Sequence, residues 1–157
     1  MSGALRRLLH GAAAGAAGTT ALNAVTYADV VLRARPASST PQDTVEELSK
    51  RSGVEIPGDE ESRSTRLKGL GPLMGLAAGV GAGVLLGAAR AAGWRPGGFG
   101  TFGLASALVL VVGNGPMTAL GITDPRSWDA DAWATDVAPH LAYAVVATYV
   151  LVGLDDD

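Results

Sequence analysis

Apolar residues along this chain gather into four long blocks separated by hydrophilic stretches, at about residues 8–32, 69–92, 99–122 and 137–154. A run of about 20 apolar residues is long enough to cross a bilayer as a helix. The second and third blocks lack the polar face at a period of 3.6 that a soluble helix shows. The pattern therefore predicts an all-α, four-transmembrane-helix bundle in one integral membrane domain over residues 1–157, in preference to a soluble Ala-rich bundle. A short amphipathic helix is expected in the first loop, residues 33–66, and an interfacial helix before the last span.

The first block follows Arg6 and Arg7 and is only weakly apolar, being rich in Ala and Gly and carrying Asn23. A signal peptide cut after Ala24 is the alternative, but the apolar run continues through Val30, Val31 and Leu32, which favours a span. Gly11, Gly15, Thr19, Asn23 and Thr26 recur at spacings of three and four, predicting a small, polar stripe turned toward other helices. In the loop, Thr40-Pro41-Gln42-Asp43 reads as a helix start, with Thr40 as cap and proline in the first turn. That helix should end near Gly53, with Glu46–Lys50 and Glu47–Arg51 paired at i, i+4 and Val45 and Leu48 on its apolar side.

The second block carries the most regular signal. Gly71, Gly75, Gly79, Gly83 and Gly87 recur at every fourth position, leaving a groove where another helix backbone can approach closely. Because 3.6 residues make a turn, such a ladder drifts about 40° per step and can touch more than one neighbour. The third block contains Gly113-Asn114-Gly115-Pro116, where a kink or break is expected, since Pro116 cannot donate to the Val112 carbonyl. Asp124-Pro125 should open a short interfacial helix carrying Trp128 and Trp133, and Asp136 should cap the last span.

Composition narrows the chemistry. The chain has 157 residues, no cysteine and a formal charge of -3, which removes thiol catalysis and Cys-type metal sites and gives no nucleic-acid signal. Lys and Arg number eight on the face holding the two long loops and four on the face holding the termini, so positive-inside bias favours a plasma-membrane protein with a cytoplasmic 33–66 loop. Arg6 and Arg7 argue the other way. Alternating spans also put His10 and His140 on opposite faces, about 30 Å apart, so they cannot share a metal, and neither metal nor cofactor is expected.

The loop-facing half collects Asn23, Tyr27, Asp29, Asn114, Thr118, His140 and Tyr143, a candidate polar vestibule, whereas the other half is nearly all Ala, Gly, Val and Leu. Each residue also has a plainer reading: Asp29 pairs with Arg33, Asn114 makes an interhelical hydrogen bond, and the glycine ladder packs.

Two segments carry a resemblance. GAAAGAAGTTALNAVTYADVVLRARPASSTPQDTVEEL resembles the start of small actinobacterial multi-pass membrane proteins of unknown function. Pro139-His140-Leu141-Ala142-Tyr143 is similar to the His-x-x-Tyr opening of the final helix in several bacterial inner-membrane families, with Ala144 where those carry glycine. These resemblances imply a location and no activity.

The function expected is that of a non-enzymatic accessory or self-associating bundle whose partners are the lipid bilayer and a second copy or another membrane protein. A small transporter or proton-linked permeation element using Asp29, Asn114 and His140 is the alternative. A lipid-active enzyme comes third, because Walker, HExxH, Ser-His-Asp and dinucleotide patterns are missing from the sequence.

Overall fold

The computed structural model describes residues 2–155. Their regular structure is helical throughout: α1 (Gly3–Arg33), α2 (Thr40–Ser52), α3 (Glu60–Ala91), α4 (Gly97–Ala119), a 3-10 turn (Pro125–Ser127) and α5 (Ala130–Asp155). Three of these, α3, α4 and α5, are long and apolar enough to cross a membrane. Helix α1 has the length, but Gly, Thr and Asn23 dilute its apolar content.

The four long helices close a ring in which α1 and α4 each pack against both α3 and α5. Glycine decides the α1–α3 seam. A methyl group built on Gly15 would fall 2.7 Å from the Gly79 carbonyl oxygen, and one on Gly83 would fall 2.6 Å from the Gly15 Cα. Gly11 likewise lies on the Gly83 carbonyl and Gly87 on the Arg7 carbonyl, so the two backbones run antiparallel in direct contact. This is the close approach that small residues at i, i+4 permit. The ladder does serve two neighbours: Gly71 meets Pro41 and Gln42 of α2, whereas Gly75 faces open space.

The same 40° drift limits the stripe on α1. Gly11, Gly15 and Thr19 are buried as expected, but Asn23 is exposed. Three steps of four residues carry it about 120° away from Gly11. The core beneath the ring is built from Ala14, Ala82, Leu86, Ala105, Val109, Tyr143, Ala144, Ala147 and Leu151.

Several local expectations are corrected. Helix α4 does not break at Pro116 and continues to Ala119. Proline near a helix end frees a single carbonyl, and the tightened turn beyond it closes with Leu120 N–H on the Pro116 carbonyl and Gly121 N–H on Thr118. The interfacial helix before the last span is one 3-10 turn that Asp124 caps and that stops short of Trp128. Helix α5 already starts at Ala130, because the Asp129 carboxylate accepts the Ala132 N–H at 2.8 Å. Asp136 is therefore inside α5, not its cap, and Trp133 rides on its first turn, edge-on to Trp128 with ring centroids 5.0 Å apart.

In the first loop, α2 begins at Thr40 with Ser39 in the cap position, one residue before the expected cap, and ends at Gly53, whose φ of 70° suits glycine. Both expected ion pairs form, Lys50–Glu46 at 3.3 Å and Arg51–Glu47 at 2.7 Å. Arg63 joins the first of them, reaching Glu46 at 2.9 Å, which ties α2 antiparallel to the hydrophilic start of α3.

Candidate functional site

At the loop end of the bundle the polar side chains fall into two groups. The first lies in the α4–α5 seam. Asn114 Nδ2 donates to Asp136 Oδ2 at 2.8 Å, and His140 Nδ1 lies 2.6 Å from the Asp136 carbonyl oxygen and 3.7 Å from its carboxylate. A carbonyl only accepts, so Nδ1 carries the proton and Nε2 is the free basic nitrogen. That Nε2 faces Gly113, where a methyl group would come within 3.1 Å of it. Gly113 thus leaves room for the Nε2 edge of the imidazole beside α4. The group is a single hydrogen-bonded base with a carboxylate beside it, suited chemically to holding or passing one proton.

The second group joins α1 to α5. Asp29 is held by Arg35 at 2.5 Å and Arg33 at 3.6 Å, and Arg33 continues to Asp131 at 2.5 Å. Arg33 also donates to Thr135 Oγ1 at 3.4 Å. Arg33 holds the Asp131 carboxyl below the usual carboxylate range, and Asp131 in turn raises the Arg33 guanidinium.

The seven vestibule residues are thus divided. Asp29, Asn114 and His140 occupy the loop end, in two separate networks. Asn23, Tyr27 and Thr118 are exposed on the outer surface. Tyr143 is fully buried: its ring fills the space over Gly18 of α1, and its hydroxyl donates to the Gly79 carbonyl of α3 at 2.6 Å. It pins three helices together at the core. Asp29 and His140 share no hydrogen bond, since each has its own partners.

The opposite end of the bundle holds a cluster that the sequence reading did not anticipate. Arg90 is 4% exposed, 2.9 Å from the Asp155 carboxylate, and donates to Thr101 Oγ1 at 2.8 Å. It joins α3, α4 and α5 where a uniformly aliphatic half was expected. The signal was present: Arg90 interrupts the second block one turn before Trp94, and alternating spans bring Asp155 to the same level. His10 lies in the same half, its Nδ1 buried and without a hydrogen-bond partner among the described residues.

Outside the spans, hydrogen bonds also lower three further carboxyls: Glu46 chiefly through Arg63, Asp124 through Arg126 and Asp59 through Ser62. A carboxylate depressed in the folded state contributes stability that is fully present above its unfolded pKa, about 4, and is lost as pH falls through the lower folded value. Detergent-solubilised protein should therefore hold its Tm between pH 7 and about 5 and lose it below about 4, modestly because these pairs are exposed. A Tm that rises on acidification contradicts this.

Comparison with family models, curated proteins and solved structures gives no match, so functional inference for this chain rests on its own residues.

Proposed function

We propose that all four long helices span the bilayer and that the protein acts by association, as a self-associating bundle, rather than by catalysis. It would belong with the small actinobacterial membrane proteins that its N-terminal segment resembles, in the cell membrane with the 33–66 loop cytoplasmic. The observation that carries this reading is the outer face of α1. One side of α1 is sealed by α3 and α5, while Ala13, Ala16, Thr20, Asn23 and Tyr27 are exposed on the other. With α1 in the bilayer, the Asn23 amide faces hydrocarbon, where an unpaired amide costs roughly 2 kcal/mol or more. A second copy packed on the small residues Ala13, Ala16 and Thr20 supplies a partner for it.

Asn23→Leu should lower the dimer association constant in liposomes by about threefold to tenfold, the range that one interhelical hydrogen bond supplies. Energy transfer between labelled copies at varied protein-to-lipid ratio reads this out. Wild-type protein that stays monomeric at every ratio contradicts the proposal. The transport reading is weaker, because Asp136 already engages the Asn114 amide and the His140 Nδ1. Proton flux in liposomes that His140→Ala abolishes would revive it.

A further inference from the structure

Between α2, the turn after it and the start of α3 runs an open groove of about 660 Å³. Its walls are aliphatic, with Leu48, Val54, Leu70 and Leu73 among them, and these four are 38% to 68% exposed. Its polar lining is Ser49, Ser52, Glu55 and Arg66, of which the last two are charged. It follows α3 across the level at which the charged start of that helix gives way to its apolar run. Leu73 lies at the membrane end. At the other end the Arg66 side chain reaches back to the Pro57 carbonyl through Nη1. A guanidinium carries five N–H donors, so Nη2 and Nε remain for an anion.

Along the helix axis, Arg66 and Leu73 are about 10 Å apart. The backward reach of the arginine lengthens the distance from its charge to Leu73. That polarity gradient is the gradient of a phospholipid: charge at the outer end, and hydrocarbon continuous with the bilayer at the inner end.

We propose that this groove binds one phospholipid of the phosphoethanolamine type. Its acyl chain lies along Leu70 and Leu73, its phosphate sits on Arg66, its ammonium sits on Glu55, and Leu48 and Val54 wall the headgroup end. The headgroup assignment follows from charge complementarity. A cation and an anion line the same groove without forming an ion pair with each other, as a zwitterionic headgroup requires, whereas an anionic lipid would meet Glu55 unfavourably. The site rests on the membrane reading above, because only a chain embedded at this level presents Leu73 to lipid.

Native mass spectrometry of the full chain in detergent, titrated in parallel with phosphatidylethanolamine and phosphatidylglycerol, tests the site. Wild-type protein should retain one phosphatidylethanolamine at least fivefold more than phosphatidylglycerol. Glu55→Gln should erase that preference while keeping binding, and Val54→Asp, at an exposed position, should lower the adduct at least fivefold without loss of helical circular dichroism. Arg66→Gln should lower it too, although it also releases the Pro57 turn. Equal retention of the two lipids, preference for phosphatidylglycerol, adducts indifferent to Val54→Asp, or a dimer that Val54→Asp dissociates in place of a lipid adduct would each overturn the proposal. Alkaline carbonate extraction of the same membranes separates the two readings. Protein that is released defeats the membrane reading, whereas protein that is retained but lipid-free defeats the site alone.

Discussion

Gly83→Leu should disrupt the bundle, at a cost of about 3 kcal/mol or more in unfolding free energy measured by denaturant titration in detergent micelles. At this position the obstacle is main chain: any side chain on Gly83 meets the Gly15 backbone nitrogen at 2.7 Å and its Cα at 2.6 Å. A flexible neighbour could swing aside, but two helix backbones in contact can only separate. Separation would also withdraw the groove over Gly18 from the Tyr143 ring and pull its hydroxyl from the Gly79 carbonyl. Gly75→Leu is the matched control, because this glycine, two steps earlier in the same ladder, faces open space. Its effect should stay within about 0.5 kcal/mol. Equal losses at the two glycines would show that helix propensity or hydropathy, not the α1–α3 contact, sets the stability.

The second large effect is expected at the other polar end. Asp155→Asn removes the anion beside Arg90 and leaves a guanidinium that is 4% exposed with, among the described residues, Thr101 and the Trp94 carbonyl as its hydrogen-bond partners. Breaking a buried pair by removing one partner costs about 3 to 5 kcal/mol, mostly from the stranded charge. Arg90→Met should cost less, since the Asp155 side chain is 16% exposed at a helix end and can hydrate. The double variant Arg90→Met, Asp155→Leu should recover most of the loss, as apolar replacements of buried pairs commonly do. Additive losses in the double variant would contradict a coupled pair.

The helical architecture was legible because it depends on block length and on periodicity, both explicit in one dimension. The glycine ladder was legible for the same reason, down to its drift from one neighbour to another. Positions that depend on where a helix begins were harder. Asp129 and Asp136 are both plausible caps before an apolar run, and only the hydrogen bond from Ala132 selects Asp129 and turns Asp136 inward toward Asn114. The missing N–H of Pro116 predicts a kink or a break; one turn from the end of a helix it removes a single bond, and the helix runs on to Ala119 without a break.

The candidate vestibule was sorted by depth along the bundle alone. Depth put Asn114 and His140 at one level, where both meet Asp136, but could not supply rotation about each axis, and rotation is what sends Asn23 and Tyr27 outward and Tyr143 into the core. Arg90 stands one turn before Trp94 at the end of the second apolar block. Its partner on the last helix, Asp155, lies sixty-five positions away in sequence: alternating helices bring the two to one level, and the folded chain adds the rotation that turns them toward each other.

The central claim is that α1 crosses the bilayer although α3, α4 and α5 are the three helices whose length and apolar content suffice for crossing. The chain has no cysteine, so single-cysteine variants Ala4→Cys, Ser64→Cys, Ala92→Cys and Ser127→Cys can be labelled with a membrane-impermeant maleimide on intact cells and on inverted vesicles. Four spans place Ala4 with Ala92 on one side of the membrane and Ser64 with Ser127 on the other. Labelling of Ala4→Cys from the same side as Ser64→Cys would leave α1 outside the bilayer and contradict the account.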